Sequence, residues 1–142
     1  GVQTCALPIL ERYFRGIGLK FTAITPGKVW SVLFKGKRKS VWSMRVLLDE
    51  KNFILVVPML SIPYTETSTD FFVYLLEKNF ELNRVKLGLD PSGTLMISME
   101  IPTRLVDYSL FVQSVLGLIQ WADENYPELK VRMGAIKTVF GE

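Results

Sequence analysis

Histidine is absent from all 142 residues of the chain. That absence removes the commonest general base, the Ser–His and Cys–His nucleophile pairs, and the commonest transition-metal ligand. Cysteine is nearly absent too: the single residue, Cys5, allows no internal disulfide and no Cys-based metal site. Long apolar runs are missing. The longest, residues 53–60 and 110–119, are broken by Pro58 or by polar residues and fall short of the ~20 residues that span a bilayer. Charge is modest, a net +3 with 22% charged residues, too little to favour general nucleic-acid binding. What is present is an apolar share of 49% and a length that buries a real core in one domain without staples.

The first nine residues, GVQTCALPI, lack an initiating methionine, a basic leader and a small-residue cleavage site, unlike a signal peptide. They resemble the in-frame translation of a short-read sequencing adapter. On that reading residues 1–9, Cys5 included, are not native. Residues 10–142 then form one domain whose first helix has lost its early turns.

From residue 10 onward the pattern resolves into elements. Residues 10–15 read as the end of a helix, and Gly16, Gly18 and Thr25-Pro26-Gly27 as a loop. Residues 29–34 and 41–48, rich in Val, Trp, Phe and Leu, read as strands joined by the polar connection KGKRKS. Asp49-Glu50-Lys51-Asn52 turns into a third strand, 53–59, whose near-continuous apolar run predicts a central strand covered on both faces. Thr67, Ser68, Thr69 and Asp70 offer helix caps. Apolar residues at 71, 72, 75, 76, 80 and 82 then follow a helical rhythm toward Asn79 or Asn83.

Val85, Leu87 and Leu89 alternate with Lys86, Gly88 and Asp90, as in a half-buried strand. Asp90-Pro91-Ser92-Gly93 is a turn: Pro91 presets a backbone angle and Gly93 admits positive φ. Leu95, Ile97 and Met99 continue as a strand that Pro102 ends. Residues 105–126 carry the broadest apolar helical face, capped by Asp107 or Ser109 and closed by Pro127. Residues 131–140 fit either a short strand or a helix. The predicted order is helix, three strands, helix, two strands, helix. That is an α+β domain with a five-stranded antiparallel sheet.

Within this order EKNFELN, the strand pair VKLGLDPSGTLMISMEIP and the helix end WADENYPEL resemble the YbjN family, over roughly residues 30–129. The most specific pieces are Asn83, the turn with Gly88, Asp90 and Gly93, then Glu100-Ile101-Pro102 and Ala122-Asp123. The resemblance implies a fold like that of the class I type III secretion chaperones. It also implies a bacterial source and a role in regulation or stress physiology. The chaperone relatives bind unfolded peptide segments as homodimers, and no catalytic residue set comes with either group.

The residues themselves offer no catalytic, metal or cofactor site. Asp123 and Glu124, neighbours on a helix, diverge by about 100° instead of converging. Asp49-Glu50 sits in a turn, and both pairs read as solvated surface. Asp90 and Ser92 lack the spacing of a cation loop, so Asp90 reads as a turn former. Gly16-Ile17-Gly18 lacks the context of a phosphate cradle.

Lys35, Lys37, Arg38 and Lys39 form the sharpest charge cluster. Such a cluster suits nucleic acid, an acidic partner or a membrane surface, and equally a solvated hairpin tip. Trp30, Trp42, Phe71, Phe72 and Tyr74 are candidate partner contacts, though the same pattern fits core residues. The expectation is a non-enzymatic cytoplasmic domain that binds a protein, a peptide or a second copy of itself, without a membrane span. The alternative is a nucleic-acid- or phosphate-binding regulator acting through residues 35–39.

Overall fold

The computed structural model describes residues 2–62 and 69–139, with side chains described for 9–62 and 69–134. Three strands follow directly from alternation: β2 (Val29–Phe34), β3 (Trp42–Leu48) and β4 (Asn52–Ser61), which β1 (Lys20–Thr25) precedes. Trp30 and Val32, Met44 and Val46, Phe53 and Leu55 are all fully buried, and every second residue between them points to the opposite face. β5 (Val85–Leu89) and β6 (Thr94–Pro102) complete one sheet of order β1-β2-β3-β4-β6-β5, with every neighbouring pair antiparallel.

Helix α1 is Val2–Gly16, α2 is Thr69–Glu81 and α3 is Tyr108–Val139. α3 lies against β4 and β6, α1 against α3 and β1, and α2 against β5. The core forms where aromatic rings from these layers meet. The Phe111 ring lies 5.4 Å from Phe14 and 5.9 Å from Phe53, centroid to centroid. All three are fully buried, each contributing about 1.5–3 kcal/mol of transfer free energy.

The sheet has six strands, not five. Residues 20–25, expected as part of a loop, form β1, an edge strand with only Phe21 partly buried. A strand whose two faces both meet water shows no apolar alternation, so its pattern carried no signal. The Thr25-Pro26-Gly27 cluster is the hairpin turn itself: Lys28 N–H donates to the Thr25 carbonyl at 2.9 Å, and Gly27 has φ 79°. Pro91 and Gly93 sit in their turn as expected, with Gly93 at φ 85°. Asp90 caps that turn, its Oδ1 accepting from the N–H groups of Ser92 and Thr94.

Two further expectations change. β4 is central, between β3 and β6, but only one of its faces is fully covered. Ile54, Val56 and Leu60 lie half-buried on an open sheet face. And Pro127 does not close the last helix, which runs on to Val139 with the proline inside it. The missing N–H and the ring clash cost ~3 kcal/mol. Buried Leu118 and Ala122 before the proline and Leu129 after it anchor both arms to the core, offsetting that cost. The ambiguous tail is thus helical through Val139. Asp107 caps the start of α3, its Oδ1 accepting from Leu110 N–H at 2.8 Å, and residues 103–105 form a separate 3-10 turn. The candidate caps Thr67 and Ser68 lie outside the described residues.

Candidate functional site

Two surfaces stand out, one apolar and one basic. The apolar one follows from the sequence of α2. Phe71 and Leu75 lie one helical turn apart and are buried. Val73, Leu76 and Phe80, at matching intervals, form a second apolar stripe that faces out. Leu76 is 70% exposed and Phe80 is 92% exposed. A helix with one buried face needs only one apolar stripe, so the second is surplus to the core.

Beside that stripe an open groove of about 290 Å³ runs between α2 and β5, floored by Leu75, Leu87, Leu89 and Leu95. Asn79 closes its wall. Its Oδ1 accepts from Leu87 N–H at 2.8 Å, occupying a backbone donor on the outer edge of β5. Tyr74 ties α2 to α3, with the Arg132 guanidinium 4.4 Å from its ring centroid. Burial, then the Glu128 carboxylate, pushes the Tyr74 phenol above its ordinary value.

The basic surface is built around a buried carboxylate. Asp123, expected on a solvated face, is only 7% exposed, so that reading is corrected. Its oxygens accept from the backbone N–H groups of Lys37 at 2.8 Å, Arg38 at 3.0 Å and Lys39 at 3.2 Å. Trp42 Nε1–H adds a fourth donor at 3.1 Å. Burial pushes this carboxyl up, but the indole and the three amides outweigh it and hold it below the ordinary carboxylate range.

Gly36 is required here. A Cβ at that position would collide with Asp123 Oδ1 and lie 2.7 Å from the Lys39 carbonyl oxygen. The hairpin loop is therefore clamped by α3, and the side chains of Lys35, Lys37 and Arg38 are left exposed.

The candidate contact residues fall in separate places. Trp30 is fully buried, its Nε1–H donating to Glu11 at 3.3 Å, and Trp42 is buried beside Asp123. Phe71 is core. None of the three offers surface. Phe72 and Tyr74 are half-buried on α2, and Phe72 lines the groove. Lys35, Lys37, Arg38 and Lys39 do sit together at one hairpin tip. Lys39 folds back, its Nζ 4.6 Å from the Trp42 ring centroid. The surface residues missed were Val73, Leu76 and Phe80. Their signal was present: the apolar positions from 71 to 82 span more of a helix circumference than one buried face needs.

Among the described residues no group of three His, Cys, Asp or Glu is placed to hold a metal ion, and no helix is long and apolar enough to cross a membrane.

No family model and no curated protein matches the chain. Solved structures do. A chain of the ExsC–ExsE complex superposes with a TM-score of 0.69 at 16% identity, covering 89% of this chain and 95% of that one. The Yersinia pestis type III secretion chaperone SycH, in complex with a fragment of YscM2, gives 0.56 at 13% identity, over 82% and 95%. YbjN from E. coli gives 0.60 at 12% identity, over 93% and 92%. The chain thus has the α+β fold shared by YbjN and the type III secretion chaperones.

Proposed function

We propose that this chain is a non-enzymatic, chaperone-like domain that binds other proteins and works as a homodimer, joined through the outer face of α2. The bare stripe of Val73, Leu76 and Phe80 carries this reading. A phenylalanine held 92% exposed beside an apolar groove is a surface that association would bury. A second copy fits it well. One stripe meeting its own copy about a two-fold axis is self-complementary, which is how most homo-oligomers close. Strand addition at the neighbouring β5 edge is hindered, because Asn79 already holds Leu87 N–H.

The protein-binding part draws support from the fold. The neighbours include a type III secretion chaperone and a complex of two named proteins. The absence of histidine agrees with a binding role. With the dimer face on α2, the open sheet face and the hairpin tip stay free for a bound segment.

Light scattering after size exclusion tests the dimer. The expected mass is twice the 16.2 kDa of the chain, falling to one copy in the Leu76→Asp, Phe80→Asp double variant. A strict monomer at micromolar concentration defeats the dimer reading. Dilution of a chemically unfolded reporter protein into buffer containing the chain tests the chaperone reading: suppressed aggregation is expected, and unchanged aggregation defeats it.

A further inference from the structure

Lys35, Lys37 and Arg38 stand exposed at the β2–β3 tip, and no ion pair engages them among the described residues. Two more cations close the corner. Lys39 Nζ lies 5.4 Å and Lys130 Nζ 5.9 Å from the centroid of the Tyr126 ring. No carboxylate forms a salt bridge with these cations among the described residues. Asp123 spends its oxygens on amides and indole, Glu124 accepts from Gln120 Nε2, and Glu128 pairs with Arg132.

Lys39 also rims an open groove at the end of the open sheet face, where Val41, Pro58 and Leu60 supply apolar walls. Val41 is 55% exposed. Ser43, Ser61 and Thr94 share that lining, so the groove is mixed in character, with Val41, Pro58 and Leu60 as its apolar part.

We infer that this corner binds a linear acidic peptide segment, its carboxylates on Lys35, Lys37 and Arg38 and its apolar side chains over Val41, Pro58 and Leu60. This rests on the protein-binding reading but uses a surface separate from the α2 stripe. The corner suits a peptide better than a single-stranded nucleic acid, which needs exposed rings on which bases stack. Here Phe34 and Trp42 are buried, and Tyr126 has both lysine ammonium groups against its ring. The Asp123 clamp fixes the loop before anything binds, which lowers the ordering cost of association.

Fluorescence anisotropy on the full chain tests the assignment, using a fluorescein-labelled peptide that alternates glutamate with leucine. Saturable binding that weakens with added salt is expected. The Lys35→Gln, Lys37→Gln, Arg38→Gln triple variant, which keeps every backbone donor to Asp123, should lose about tenfold in affinity, or ~1.4 kcal/mol. A glutamate–serine peptide should also bind more weakly. The Leu76→Asp, Phe80→Asp variant should bind the peptide as the parent does, even where it no longer dimerises.

Each of the following overturns the proposal: no saturable binding, full affinity in the triple variant, equal affinity for the glutamate–serine peptide, or an oligodeoxythymidylate of equal charge binding as tightly. Loss of binding in the α2 variant also overturns it, and moves the peptide to the α2 surface.

Discussion

Trp42 and Asp123 are joined by a buried hydrogen bond, indole Nε1–H to carboxylate Oδ1 at 3.1 Å, across 81 residues of sequence. The same carboxylate collects three consecutive amides of the β2–β3 loop, so one side chain of α3 fixes the sheet's hairpin tip. Asp123→Ala leaves these donors without their partner. It should cost about 2–4 kcal/mol in urea unfolding, because hydrogen bonds to a buried charge are the strong ones. Trp42→Phe removes one donor and trims the packing; about 1–2 kcal/mol is expected.

The clamp also sets a pH dependence. The folded Asp123 carboxyl lies below its ordinary value, so the unfolded chain takes up a proton first as pH falls. Its stabilising contribution is complete above the unfolded value of about 4 and is lost as pH drops through the lowered folded one. Unfolding free energy measured between neutral and strongly acidic pH should therefore fall more steeply in the parent than in Asp123→Asn. Equal slopes would contradict the clamp, though Asp49 and Asp90, also lowered by hydrogen bonds, leave some acid dependence in both.

Gly36 and Gly88 should respond in opposite ways to alanine. A Cβ at Gly36 meets Asp123 Oδ1, the Trp42 indole nitrogen at 2.6 Å and the Lys39 carbonyl oxygen at 2.7 Å. Gly36→Ala should cost about 2–3 kcal/mol. Nothing lies within 4 Å of a Cβ at Gly88, so Gly88→Ala should be neutral or stabilise by up to about 1 kcal/mol through the unfolded chain. Thermal melts of the two variants decide it.

On α2, stability and association should separate by residue. Leu75→Ala opens a core position and should cost about 2–4 kcal/mol. Phe80→Ser, at a 92% exposed site, should change monomer stability by less than about 0.5 kcal/mol while weakening self-association. A large stability loss from Phe80→Ser, seen at concentrations where no dimer forms, would show that the ring packs within its own chain.

Asn79→Ala frees Leu87 N–H on the outer edge of β5. A loss of about 1 kcal/mol is expected, together with a greater tendency to aggregate through that edge. Light scattering during a slow thermal ramp reports both.

Much of this architecture was legible in the residues. Val85 to Leu89 and Leu95 to Met99 have a period of two because one face of each strand packs on helices, and burial writes itself into composition. β1 left no such trace, since both its faces are largely open. Pro127 misled for the opposite reason: local chemistry says stop, while Leu129 packs in the core and carries the helix on. The Asp123 clamp was hidden more deeply. Three of its four partners are backbone amides, which any residue type supplies, from 84 to 86 positions away, and the fourth is the Trp42 indole, 81 positions away. The only local hint was a glycine in the loop that receives it. The basic cluster was visible at once, but the order imposed on it was not.

The position of β6 has a consequence for biosynthesis. β1 to β4 pair in the order in which they leave the ribosome, whereas the second edge of β4 waits for β6, beyond α2 and β5. At ~5–20 residues per second, making residues 62–102 takes roughly 2–8 s. For an interval of that length after β4 emerges, each nascent copy presents the unpaired edge of a strand reading NFILVVPMLS. The hazardous interval for this chain lies between the emergence of β4 and that of β6, and slow translation while it lasts would prolong it.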